Sequence, residues 1–231
     1  MPYIKWDKAY RVIRTIYPPI HLFEDVADPA DWELLVSAEA KLNPRVRDQI
    51  GDLTLVPVHR RIAGPTASLA MAAFTHTSTA RPNRFSDGSF GVWYCGDGWE
   101  VAVAETIFHF EEFMRATNEP AVDADFRGLV ATIAGDFQDI RRDASHLDCH
   151  SPNSWIAGQR LGRLIHSAEG DGIVYNSVRW SGGSAAAVFW PNLVSLPINQ
   201  AQQYRYRWDG SRVSEYFVHG DDRTWRAWPP P

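Results

Sequence analysis

Two cysteines in 231 residues, Cys95 and Cys149, are too few to staple a fold, and no metal-ligand spacing surrounds them. The chain therefore reads as one suited to a reducing compartment, and a cytoplasmic location is expected. No apolar run approaches the roughly 20 residues that a membrane span needs. The opening Met1-Pro2-Tyr3-Ile4-Lys5-Trp6-Asp7 lacks the basic region and apolar stretch of a secretory signal. Excess positive charge is missing too: a net charge of −5 argues against general attraction to nucleic acid. There is no Gly-x-Gly-x-x-Gly after a strand and no Gly-x-x-x-x-Gly-Lys-Ser, which disfavours Rossmann and P-loop nucleotide sites. His76, His109 and His150 have no partners at helical or loop spacing, so no metal is expected.

What is present is a chain long enough for a substantial core, with ten tryptophans and short apolar runs. Tyr10–Ile16 alternates like a strand, and Pro18-Pro19 ends it. Asp28-Pro29-Ala30-Asp31 opens a helix that stops before Asn43-Pro44, with a short amphipathic segment at Val46–Ile50. Leu53–Ile62 reads as a strand, Ala67–Phe74 as either helix or strand, and Gly91–Cys95 as a buried strand. Asp97-Gly98-Trp99-Glu100 resembles a capping box for a helix from Trp99 to Thr117. Strands follow at Phe126–Ile133, Phe137–Ile140, Gly172–Arg179 and Ala185–Trp190. Between them Ser154–Glu169 is a helix with Ile156, Leu161, Leu164 and Ile165 on its buried face. Asp209-Gly210 joins a hairpin, and the end at Trp228–Pro231 is expected to fray. The sum is α+β, a single domain over 1–231: an extension at 1–50, a core of about 51–200 and a hairpin at about 204–218.

One constellation carries most of the chemistry. Arg84, Tyr94 and Glu105 flank a glycine-rich turn, a short strand and the helix that follows it. An arginine for an anion, a stacking ring and a lone acid suit a phosphorylated glycoside. Glu105 stands in Val101-Ala102-Val103-Ala104, where a charge needs a reason. A carboxylate there would steady the positive sugar formed as a glycosidic bond breaks. Arg84 offers a planar fork for phosphate. Tyr94 offers a ring to stack on and a hydroxyl for the sugar.

The order Arg61-Ile62, Asn83-Arg84-Phe85, Gly91-Val92-Trp93-Tyr94, Ala102-Val103-Ala104-Glu105 and Gly172-Ile173-Val174-Tyr175-Asn176-Ser177-Val178-Arg179 resembles the RES domain. The resemblance covers about Arg61 to Pro197. It implies a fold similar to the ADP-ribosyltransferase toxins, with split β-sheets around an NAD cleft and flanking helices. It also implies a toxin of a bacterial toxin–antitoxin pair, with a cognate Xre-like antitoxin as partner. Family activities are of two kinds, destruction of NAD+ by phosphorolysis or hydrolysis, and transfer of ADP-ribose to a protein acceptor such as an enzyme of nucleotide synthesis. By the resemblance Glu105, Arg84 and Tyr94 are catalytic, and Arg61, Arg84, Tyr94 and Ser177 bind NAD+. Arg11, Arg14 and Arg60 compete with Arg61 for the first cleft arginine, because Tyr10-Arg11-Val12 also looks like the family's opening motif.

Three functional classes stay open at this level. The chain is an NAD-consuming enzyme, a non-catalytic partner-binding domain rich in aromatics, or a carbohydrate module. The last needs a second carboxylate across from Glu105, and no clear one is paired with it.

Overall fold

The computed structural model describes residues 1–16, 28–42, 50–220 and 224–230. Pro18-Pro19, Asn43-Pro44 and nearly all of Val46–Ile50 lie outside them. Among the described residues nine strands form one hydrogen-bonded sheet in the order β4-β5-β6-β2-β1-β3-β7-β8-β9. The first, β1, spans Tyr3–Arg14, and α1 spans Trp32–Leu42. Helix α2 is Ala67–Thr75, β2 is Trp93–Gly96 and α3 is Trp99–Thr117. Then come β3 at Val122–Asp136, β4 at Gln138–Asp139, α4 at Ile156–Ser167, β5 at Gly172–Asn176 and β6 at Ser184–Val188. The chain closes with β7 at Asn199–Trp208, β8 at Val213–His219 and β9 at Arg226–Ala227. The mixed α+β expectation holds.

The sheet is continuous by hydrogen bonding but nearly divided in the middle. β1 pairs with β3 along its length, from Tyr3↔Asp136 to Arg14↔Phe126, yet meets β2 only at Tyr10↔Gly96. The β4-β5-β6-β2 half and the β1-β3-β7-β8-β9 half are thus joined by one residue pair. The split is real, although the halves belong to one sheet.

Side-chain alternation assigns each face its core. On β6, Ala186 and Val188 join Val174, Trp93, Leu129 and Ile133 beneath α1 and α2. Ala185 and Ala187 on the opposite face join Ile173, Tyr175, Phe85, Phe90 and Ile165. Helix α3 packs Val103, Ile107, Phe110 and Met114 on Phe126, Tyr204, Tyr206 and Trp208 of the other half. Its C-terminus turns through Asn118, whose left-handed φ of 51° ends the helix.

Several local expectations are corrected. Leu53–Ile62 forms two short 3-10 turns, Leu53–Leu55 and Val58–Arg60, because Leu53 and Val56 are buried at a spacing of three rather than two. Gly98, not Asp97, caps α3; the Asp97 carboxylate instead accepts the Ser184 N–H at 2.9 Å. The strand expected to reach Arg179 stops at Asn176. The C-terminal end docks through β9 on β8, with the Trp228 ring 6.1 Å from that of Tyr216.

The packing of α4 is the largest departure. Ile156 and Leu164, expected in the core, are exposed. Ile165 is buried as expected, but the rest of the buried face is made by Gly158 and Gly162. A Cβ on Gly158 would lie 2.3 Å from the Arg84 carbonyl oxygen, and one on Gly162 would lie 1.9 Å from that of Phe85. The two glycines let α4 touch the backbone of the turn that carries Arg84.

Candidate active site

A cleft of about 1100 Å³ opens where β1 and β2 part, lined by β1, β2, α2, α3 and the Asn83-Arg84 turn. Among the described residues six arginines line it, Arg11, Arg14, Arg81, Arg84, Arg127 and Arg179, against two acids, Glu105 and Glu112. A chain of net charge −5 thus gathers cations around this hollow. Such local excess attracts anions more strongly than net charge suggests.

Glu105 follows four buried residues on α3 and is half-buried itself. The next residue, Thr106, donates to the Ala102 carbonyl and reaches the Val12 carbonyl of β1 at 3.4 Å. Glu105 Oε1 accepts a hydrogen bond from Ser177 Oγ at 2.8 Å. Ser177 follows β5 in a turn, where its Oγ accepts the N–H groups of Arg179 and Trp180 at 3.2 and 3.1 Å. Two backbone donors therefore orient the hydroxyl so that its single proton goes to the carboxylate. Among the described residues no hydrogen bond uses Glu105 Oε2, and Glu105 lines the cleft.

Arg84 is nearly buried. Its Nη1 donates to the carbonyls of Cys149 at 3.0 Å and Ser151 at 2.8 Å. Those two bonds fix the plane of the guanidinium. Among the described residues its Nε and Nη2 make no hydrogen bond, and it too lines the cleft.

Tyr94 braces that turn. Its hydroxyl accepts from the Phe85 N–H at 3.0 Å and donates to Asn83 Oδ1 at 2.6 Å. Its one proton is already committed within the protein, and burial pushes the phenol well above its ordinary range. Tyr94 meets the cleft as a wall and a brace.

Arg61 stands elsewhere. It donates to the carbonyls of Val56, Pro29 and Leu53 and pairs with Glu33, tying α1 to the 3-10 turns. It is absent from the cleft lining, whereas Arg11 and Arg14 are part of it. Arg60 packs over the Trp190 ring and bonds the Glu169 carbonyl, also outside the cleft. Arg11 lies over the Trp93 ring and donates from Nη1 to the Tyr94 carbonyl at 2.8 Å. Burial lowers its pKa to about 10, so its charge persists at neutral pH.

Sequence reading passed over three cleft residues. Asn83 carries the acceptor that Tyr94 and the Ser86 N–H share. Arg179 follows Ser177 by two positions and spreads its guanidinium over the Phe108 ring, 3.4 Å from the centroid. Trp155 faces His109 across 5.9 Å at the cleft wall. An arginine in an apolar strand motif, as in Val178-Arg179, was the available signal for the second; the others depend on contacts distant in sequence.

Comparison with known proteins bears on the same region. The family model for the RES domain matches residues 58–209. The protein y4oC of Sinorhizobium fredii (strain NBRC 101917 / NGR234) is 27% identical over 216 residues, covering 93% of this chain and 89% of its own. A chain in the crystal structure of the M. tuberculosis MbcT–MbcA toxin–antitoxin complex is 12% identical. That match covers 90% of this chain and 87% of the other, with a TM-score of 0.40. Since the family model spans most of the sequence and takes in Arg84, Tyr94, Glu105 and Ser177, the chain belongs to the RES domain family.

Proposed function

We propose that this protein is the toxin of a toxin–antitoxin pair and cleaves the nicotinamide–ribose bond of NAD+. The observation that carries the reading is the Ser177–Glu105 hydrogen bond on the wall of an arginine-lined cleft. Membership of the RES domain family favours NAD+ as the substrate class.

In this reading the arginines receive the pyrophosphate, with Arg84 as one fork. Arg11, rather than Arg61, serves as the first cleft arginine. The bond between ribose C1′ and the nicotinamide nitrogen breaks, and its electron pair leaves with the neutral base. Positive charge develops on the ribose. Glu105, held by Ser177, stabilises that charge more in the transition state than in the ground state. Water or the oxygen of inorganic phosphate then bonds to C1′, and the attacking group's proton is released to solvent. A protein side chain attacking instead would give mono-ADP-ribosylation. An enzyme that depletes NAD+ needs an inhibitor in its own cell, and a cognate Xre-like antitoxin fits that need.

Incubation of the purified chain with NAD+, with and without phosphate and cell extract, tests the reading. Loss of NAD+ without labelled protein supports bond cleavage to a small acceptor. Labelled protein without bulk NAD+ loss favours ADP-ribosylation. Neither signal, from a folded chain, sinks the enzymatic reading.

A further inference from the structure

Arg84 and Arg179 come from different segments, the turn before β2 and the turn after β5, yet both lean on one loop. Arg84 Nη1 bonds the carbonyls of Cys149 and Ser151, and Arg179 Nη2 bonds that of Pro152 at 2.7 Å. Ser151 and Pro152 are neighbours, with Cα atoms about 3.8 Å apart. Two guanidinium groups are therefore anchored one residue apart, and both line the cleft.

This arrangement is costly without a ligand. Burial lowers the Arg179 pKa, and the Arg84 charge adds to that, while Glu105 and Glu112 act in the other direction. Among the described residues no carboxylate lies within ion-pair distance of either arginine. Arg179 Nε is buried and makes no hydrogen bond there. A buried N–H left unpaired loses its hydration with nothing to replace it. An arginine that served only to staple the 149–152 loop would need no second open donor. The Arg179 guanidinium carbon sits over the Phe108 ring, a contact that suits a planar guanidinium better than a lysine ammonium.

We propose that Arg179 is a second anion-contacting residue of the cleft and forms with Arg84 a two-guanidinium clamp for a pyrophosphate diester. This deepens the reading of the cleft as a dinucleotide site and rests on it for the diester. Two adjacent phosphorus centres each carry a charge, and one planar fork serves one centre. The backbone N–H of Arg179 also holds the Ser177 hydroxyl that bonds Glu105, so the clamp and the carboxylate share one turn.

Calorimetric binding of inorganic pyrophosphate to the full chain tests the clamp independently of turnover. Arg179→Met is expected to weaken binding about tenfold or more and Arg179→Lys less, about 1.4 kcal/mol per decade. Arg142→Met, at an exposed arginine outside the cleft, should bind as the wild type does. With NAD+, Arg179→Met should raise KM more than it lowers kcat. If Arg179→Met does not fold, Phe108→Leu, which keeps the charge and removes the platform, should weaken pyrophosphate binding in the same direction. Wild-type affinity for pyrophosphate in folded Arg179→Met overturns the clamp, as does failure of the wild type to bind. Should the wild type bind pyrophosphate, lose it in Arg179→Met, and leave NAD+ intact, the clamp stands and the NAD+ reading falls.

Discussion

Ser177, in the turn after β5, reaches Glu105 on α3, and its hydroxyl is oriented by two backbone N–H groups before it meets the carboxylate. The pair is 72 residues apart in sequence. Its geometry leaves one carboxylate oxygen for the cleft. Glu105→Gln keeps the shape and removes the charge, and should cut kcat about 10²–10³-fold, the range for loss of a preorganised electrostatic stabiliser. Ser177→Ala should cost less, because the charge remains but its aim loosens. Turnover of NAD+ beside a circular-dichroism melt checks both. Glu105→Gln turning over at the wild-type rate would remove Glu105 from the chemistry.

Tyr94 holds the Arg84 turn through both sides of its hydroxyl. In Tyr94→Phe the Phe85 N–H loses its acceptor, and Asn83 Oδ1 keeps only the Ser86 N–H. A cost of about 1–3 kcal/mol in stability is expected, together with a higher KM for NAD+ as Arg84 loses its aim. Urea unfolding and steady-state kinetics read the two effects. An unchanged midpoint with a collapsed kcat would instead indicate direct chemistry by the hydroxyl.

Gly162 is the contact that seats α4 on the same turn. With a Cβ placed 1.9 Å from the Phe85 carbonyl oxygen, Gly162→Ala forces the helix outward. Overpacking of this kind costs typically 1–3 kcal/mol, against the gain usual for Gly→Ala in a helix. Leu164→Ala, on the exposed side of α4, should be nearly neutral. A thermal melt of both variants decides: a stabilised Gly162→Ala would mean that α4 does not sit this close.

His166 supplies a pH dependence. It is stacked between Phe90, at 3.9 Å, and Trp190, at 4.4 Å, and burial pushes its imidazole down to about 4. The unfolded chain takes up that proton near the ordinary value of about 6.5. Between these values the unfolded state binds more protons, so this contribution to stability falls as pH drops through the window and levels off below it. His166→Phe keeps a ring in the stack and removes the proton site. Its urea midpoint should fall less than that of the wild type between pH 7 and pH 5. Equal falls would show that His166 is not held neutral.

Much of the fold was legible where the signals are local. Helix α3 runs from Trp99 to Thr117 as expected, although an extended Gly98 rather than Asp97 is its N-cap, and a left-handed Asn118 closes it. The hairpin at Asp209-Gly210 is equally local: Asp209 Oδ1 accepts the N–H groups of Ser211 and Arg212. Strand β1 begins seven residues before its expected start, since Lys5, Asp7 and Lys8 hide the alternation. The orientation of α4 was not legible, because a helix that packs on a backbone shows its contact as glycines. Arg61 was misplaced for a related reason. Three of its four partners, Pro29, Leu53 and Val56, are carbonyls, which have no signature in the amino-acid code, and the fourth, Glu33, is 28 residues away.

The single rung at Tyr10↔Gly96 also governs what the seam contains. A closed ladder would spend the Tyr94 carbonyl on a neighbouring strand; here it receives the Arg11 guanidinium. The lateral placement of that cation is then set from the other edge of β1, by ten residue pairs with β3. A slip of one residue in that ladder would turn Arg11 to the opposite face. The charge at the mouth of the seam is thus indexed by a strand that lies on its far side.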